Sequence, residues 1–161
     1  MNTILVINGP NLGILGKRQP HLYGAKTLAN ILDEIKSIAK EKKIKIEDFQ
    51  HNVEGEIINF LNEKYIEYCS SKKEKINKRL AGIIINPAGY THTSIALRDS
   101  LEVYKQENIP IFEVHLSNIF AREEFRHKSY ISPIANGVVS GLGSYGYIAA
   151  LHKIFELEKN V

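Results

Sequence analysis

Five short runs rich in β-branched and apolar residues constrain this chain more than any other feature. Each hands over to a polar turn and then to a stretch with helical spacing. The runs cover residues 3–7, 44–50, 81–86, 110–115 and 137–140. Between the first two, Leu28, Ile31, Leu32, Ile35, Ile38 and Ala39 recur on one helix face, and Thr27 is placed to cap it. Further helical patterns cover 56–69, 93–106 and 144–159, while 119–136 is less regular.

Strands that are apolar at successive rather than alternate positions belong in a parallel sheet covered on both faces. The expected fold is therefore an α/β, flavodoxin-like three-layer α/β/α sandwich with a five-stranded parallel sheet. The 161 residues carry no internal repeat and no linker, so a single domain over 1–161 is expected. An apolar fraction of 43% with 24% charged residues argues against intrinsic disorder. The single cysteine, Cys69, removes the disulfide-stapled class, and the hydrophobic helix around it argues for an incidental thiol rather than a nucleophile. The first apolar run stops at Asn8 and has no basic segment before it, unlike a secretory signal. No apolar run approaches the ~20 residues of a membrane span. A cytoplasmic protein is expected. The net charge of +3 owes much to one lysine-rich stretch, 71–79. This reads as a solvated surface loop, since a nucleic-acid site would add aromatic or motif signals.

In open α/β sheets, ligands bind beyond the carboxyl ends of the strands, at the topological switch point. The residues leaving the first, third and fourth strands are Asn8-Gly9-Pro10-Asn11, Asn86-Pro87-Ala88-Gly89-Tyr90-Thr91-His92-Thr93-Ser94 and Glu113-Val114-His115-Leu116-Ser117-Asn118. They concentrate amides, hydroxyls and imidazoles at one sheet edge. Glu113 and His115 are two apart on a strand and share a face. With His92 they could ligate zinc, but a histidine beside a carboxylate is more often an oriented acid or base. Gly141-Leu142-Gly143-Ser144-Tyr145-Gly146 matches a dinucleotide fingerprint, yet only fifteen residues follow it. A Rossmann unit needs a further strand and an acidic residue ~20 positions on. These glycines read instead as a tight turn with close helix packing. No phosphate-binding P-loop or hydrolase elbow is present, and Asn8 and Asn86 stand where a phospho-receiver would carry acids.

The connection over 11–24 is long for a compact α/β domain and holds three glycines, which suits a functional lid. It carries Arg18 and Tyr23. A neighbouring guanidinium favours the phenolate, which is a competent base for a carbon acid. A tyrosine packed under the loop with a surface arginine fits the spacing equally well.

Taken together, Asn8-Gly9-Pro10-Asn11-Leu12, the Leu15-Gly16-Lys17-Arg18-Gln19-Pro20 to Tyr23-Gly24 segment, Asn86-Pro87 to Thr91-His92-Thr93-Ser94, and Glu113-Val114-His115-Leu116-Ser117-Asn118 closely resemble the type II 3-dehydroquinate dehydratases. Ala121-Arg122-Glu123-Glu124-Phe125-Arg126 and the 141–146 segment also fit. The resemblance implies a hydro-lyase of the shikimate pathway of aromatic amino acid biosynthesis. It would eliminate water in the anti sense from 3-dehydroquinate, through an enolate, without cofactor or metal. By its motifs, Tyr23 would remove the proton, Arg18 would keep Tyr23 ionised, Asn11 would help position a water against the enolate, and His115 would act as the acid oriented by Glu113. Asn86 and the backbone amides of Leu116 and Ser117 would hold the carboxylate. His92, Arg126 and Asp99 would hold ring hydroxyls, with Asp99 supplied by a neighbouring subunit and Arg122 at the rim. Trimers assembling into a dodecamer are implied, with no nucleic-acid or membrane partner.

Departures from the family pattern are few. Gln19 stands where an acidic residue is usual, Ala88-Gly89 inverts the more frequent order, and the chain is longer around 70–79 and between Asp99 and His115. Two other classes are weighed. A binding protein of the same fold would keep the pocket without turnover, against which the intact Arg18, Tyr23 and His115 count. A nucleic-acid binder would show steeply salt-dependent affinity.

Overall fold

Period-two alternation along the strands sorts side chains to the two faces of one sheet, and the helices cover both faces. The structure, a computed structural model, describes residues 2–17, 26–70 and 79–159. Strands β1 (Asn2–Asn8), β2 (Lys45–Gln50), β3 (Arg79–Asn86), β4 (Ile111–His115) and β5 (Gly137–Ser140) form a parallel sheet in the order β2-β1-β3-β4-β5. Helices α1 (Leu28–Glu41) and α4 (Tyr145–Glu158) cover one face; α2 (Glu54–Tyr65) and α3 (Ile95–Gln106) cover the other. Ile4, Val6, Ile84, Phe112 and Val114 pack toward α1 and α4, through Ile31, Ile35, Leu151 and Ile154. Leu5, Ile7, Ile83, Ile85 and Ile111 pack toward α2 and α3, through Ile57, Leu61, Leu97 and Leu101. Each such buried side chain contributes ~1.5–3 kcal/mol. The expected flavodoxin-like sandwich is the fold observed.

Element ends follow local capping. Thr27 Oγ1 accepts from the Asn30 N–H at 3.2 Å and Asn30 Oδ1 accepts from the Thr27 N–H at 3.1 Å, a reciprocal box that starts α1. Helix α3 starts two residues later than the spacing predicts, because Ser94 rather than an earlier residue caps it, its Oγ accepting from the Leu97 N–H at 2.8 Å. Helix α2 starts two residues earlier, at Glu54, where Glu54 and Glu56 complement its positive end. Its regular part stops at Tyr65 and passes into a single π turn, Ile66–Ser70. There Lys64 is buried between Glu47 of β2 and Glu67, which keep its ammonium charged. The glycine segment before α4 is the tight turn and packing device expected. Gly141 (φ +90°) and Gly143 (φ +56°) adopt left-handed backbone, and a Cβ on Gly146 would meet Val114 Cγ1 at 3.0 Å.

Candidate active site

The strands β1, β3 and β4 end side by side, and the chain leaving them lines a cavity of about 210 Å³. Strand order reverses between β1 and β3, so the cavity sits at the switch point. The exits of β1 and β3 are in backbone contact. The Gly9 N–H donates to the Asn86 carbonyl at 2.8 Å, and a Cβ on Gly9 would lie 2.3 Å from the Pro87 oxygen, so only glycine fits. Two residues on, Asn11 takes a left-handed conformation (φ +67°), tolerated by asparagine, with its N–H donating to Asn52 Oδ1 at 2.9 Å. Pro10, Asn11, Leu12 and Leu15 form this side of the cavity.

On the β4 side, His115 Nε2 lies 2.7 Å from Glu113 Oε1, as the shared strand face predicts. Glu113 is fully buried, and three hydroxyls besides the imidazole serve its carboxylate: Thr91, Ser129 and Ser132. Burial pushes its pKa up, but the hydrogen bonds from His115, Ser132 and Thr91 outweigh this and hold it below the usual carboxylate range. Glu113 is therefore an anion at neutral pH. Nε2 carries the proton given to it, and Nδ1 is the nitrogen left to exchange protons. The His92 ring stacks on His115 with centroids 6.4 Å apart, and its Nδ1 donates to the Lys128 carbonyl at 2.7 Å. Burial lowers the His92 pKa, so this ring is neutral and presents Nε2 as an acceptor.

The remaining wall is made of amide and cationic groups. Asn86, Leu116 and Ser117 line the cavity, as do Arg122 and Arg126. Arg122 Nη1 donates to Ser117 Oγ at 3.3 Å, and Arg126 Nε donates to Glu123 Oε2 at 2.8 Å. The arrangement pairs an oriented imidazole with a donor-rich, cationic pocket, which suits acid–base chemistry on an anion. Among the described residues, no group of three His, Cys, Asp or Glu side chains is placed to hold a metal ion. Burial raises the pKa of the Cys69 thiol, which keeps it from acting as a thiolate.

The model of the family described as dehydroquinase class II matches residues 2–155 of this chain. The chain belongs to that family. It is 48% identical over 159 residues to the 3-dehydroquinate dehydratase of Halothermothrix orenii, covering 99% of this chain and 97% of that one. It is 50% identical over 151 residues to that of Clostridium perfringens, covering 94% of each. The crystal structure of a type II dehydroquinase from Butyrivibrio crossotus superposes with a TM-score of 0.81 at 40% identity, over 95% of this chain and 97% of that one.

Within this class II dehydroquinase fold, eight of the eleven residues singled out from the sequence gather at one place. Asn11, Asn86, His92, His115, Leu116, Ser117 and Arg126 line the cavity, and Glu113 lies directly behind His115. Arg18 and Tyr23 lie outside the described residues. Asp99 is not among the lining residues; it is exposed on α3 and paired with Arg98 at 2.9 Å. The sequence reading missed Thr91, Ser129 and Ser132 as the hydroxyl cage of Glu113, and Tyr147 as the partner of Asn86. Thr91 stood inside a motif without a role. Ser129 and Ser132 are brought in by a loop that the Tyr130 N–H fastens to the Thr91 carbonyl at 2.8 Å, and no periodicity announces it. Among the described residues, no helix is long and apolar enough to cross a membrane.

Proposed function

We propose that residues 1–161 form a single catalytic domain that dehydrates 3-dehydroquinate to 3-dehydroshikimate, as a hydro-lyase of the shikimate pathway in the cytoplasm. The observation that carries this reading is the Glu113–His115 pair at 2.7 Å, buried beside a pocket of amides and guanidinium groups. Tyr23, as phenolate beside Arg18, takes the proton α to the ketone, and the C–H electron pair forms an enolate. Asn11 helps to hold a water against the enolate oxygen, where charge develops. Collapse of the enolate expels the β-hydroxyl on the opposite face, and His115 protonates it from Nδ1 so that it leaves as water. Glu113 holds the ring for that transfer. The proton taken by Tyr23 and the one given by His115 balance after exchange with solvent, so no external oxidant or reductant enters.

The substrate carboxylate sits against Asn86 and the Leu116 and Ser117 amides; His92 and Arg126 hold ring hydroxyls, with Arg122 at the rim. The neutral His92 suits a hydroxyl donor. Asp99, exposed and turned to Arg98 rather than to its own cavity, completes the site of a neighbouring subunit, which requires an oligomer and fits trimers assembling into a dodecamer. The test is to incubate purified protein with 3-dehydroquinate in the absence of metal and cofactor. The absorbance of a conjugated enone is expected to grow; folded protein that produces none refutes the reading.

A further inference from the structure

Tyr147 is fully buried at the start of α4, far from any role in proton transfer, yet its hydroxyl joins the ends of two strands. It accepts from Asn86 Nδ2 at 3.0 Å and donates to Asn8 Oδ1 at 2.6 Å. Asn8 and Asn86 are register partners at the last positions of β1 and β3. Asn86 Oδ1 accepts from the Ala88 N–H at 3.1 Å. Every bond in this chain has a settled direction. A backbone N–H can only donate, so it fixes the oxygen of Asn86. The phenol has one proton, and Asn8 takes it. The phenol oxygen can then only accept from Asn86. A carboxamide nitrogen has two hydrogens. Tyr147 engages one, and the other is left for the cavity that Asn86 lines.

We propose that Tyr147 is a positioning residue: with Asn8 as its proton acceptor, it holds the nitrogen end of the Asn86 carboxamide while the Ala88 N–H holds the oxygen end, so that the cavity wall offers a donor and never a carbonyl oxygen. This rests on the proposed reading of Asn86 as a holder of the substrate carboxylate. The lock makes the pocket selective for an anion, because a flipped amide would set oxygen against oxygen. Asn8 supports the assignment. Its Nδ2 is buried with no hydrogen-bond partner among the described residues, an unfavourable arrangement for a donor. An apolar residue at position 8 would avoid that orphan. It would also leave the Tyr147 proton without its acceptor, so that the hydroxyl would no longer be held with its lone pair toward Asn86 Nδ2. Burial raises the Tyr147 pKa, so the hydroxyl keeps its proton across the working pH range.

The experiment compares the intact enzyme with Tyr147→Phe, Asn86→Ala and the double variant, measuring kcat and KM with 3-dehydroquinate and calorimetric affinity for quinate, a saturated cyclic carboxylate. Tyr147→Phe is expected to weaken quinate binding and raise KM roughly tenfold, the effect of losing one hydrogen bond to a charged group, with kcat changed less than about twofold. The double variant should match Asn86→Ala alone, since Tyr147 acts only through Asn86. Unchanged affinity in Tyr147→Phe, or effects that add, would overturn the lock. A merely structural tyrosine would lower thermal stability without moving KM selectively. Should Tyr147→Phe not fold, Asn8→Ala leaves the ring in place; a KM rise of about threefold that vanishes on the Asn86→Ala background is expected, and an unchanged KM overturns the proposal. Absence of turnover by the unaltered enzyme would instead refute the proposed activity, and quinate affinity would still decide the lock.

Discussion

Two polar chains stand at the same sheet edge on opposite faces, and they are built from different chemistry. On the α1/α4 face, Asn8, Asn86 and Tyr147 form a neutral chain with a fixed direction of donation. On the α2/α3 face, Glu113 and His115 form a carboxylate–imidazole pair caged by Thr91, Ser129 and Ser132. Both are buried, so each polar group must be matched or its desolvation goes uncompensated. The neutral side meets this by geometry alone, save for Asn8 Nδ2, which has no partner among the described residues, and it has no proton to move near pH 7. The ionic side meets it with hydroxyl donors that keep the carboxylate charged. In the proposed reaction, binding of an anion and transfer of a proton are thereby separated by the pleat of the strands, and a change on one face should leave the other intact.

The largest expected effect lies on the ionic face. His115→Asn should slow dehydration by about 10²–10⁴-fold while exchange of the α-proton with solvent partly persists. Tyr23→Phe should abolish both. Deuterium incorporation into recovered substrate, measured beside product formation, checks this; equal loss of exchange in the two variants would contradict the assigned roles. Next, Glu113→Gln keeps the shape but removes the charge and offers an amide donor to hydroxyls that now donate, so His115 should lose its alignment and kcat fall by about 10²-fold. Quinate affinity should move little, and a KM effect as large as the kcat effect would break the separation of the two faces.

A third expectation concerns pH. The Glu113 pKa is lower folded than unfolded, so its contribution to stability is complete above the ordinary glutamate value of ~4.3 and is lost as pH falls through the lower folded value. Unfolding in denaturant at stepped pH should show Ser132→Ala narrowing that acid range, at a stability loss of ~1.5–3 kcal/mol near neutrality. The smallest effect tests the neutral face. Ala88 holds a positive φ of 51°, which favours glycine, whereas Gly89 shows none. The inverted Ala88-Gly89 order thus puts the methyl group where the backbone least accepts it. Ala88→Gly should raise stability by no more than ~1 kcal/mol, since relieved strain is partly offset by chain entropy. Thermal unfolding checks this, with kcat expected to be unchanged.

What could be read from residues alone follows from the range of the interactions. The five strands were legible because burial on both faces demands unbroken apolar runs, and Glu113 with His115 because two-residue spacing fixes a shared face. Strand ends moved by no more than two residues; the helix start at Ile95 moved because the Ser94 cap, not apolar spacing, decides it, and the helix at Glu54 opens on acidic residues that an apolar pattern does not register. Ser129 and Ser132 stayed hidden because they arrive 16 and 19 residues after Glu113 through irregular chain. Tyr147 looked like one more large residue on a buried helix face, and only its 139-residue reach to Asn8 reveals the hydroxyl's purpose. The roles of Asn11, Asn86 and Asp99 came from family resemblance; spacing alone carried no signal for them.

The contact between Gly9 and Pro87 has a consequence for descent. With a side chain excluded at position 9, the separation of the two loops that floor the pocket is inherited as a constant, a gauge that drift cannot reset one residue at a time. Lineages carrying this fold can change what they accept by exchanging the side chains that reach in from the rim, such as Arg122. They cannot do so by widening the floor. Variation among relatives should therefore collect around the mouth of the cavity while its base stays nearly invariant.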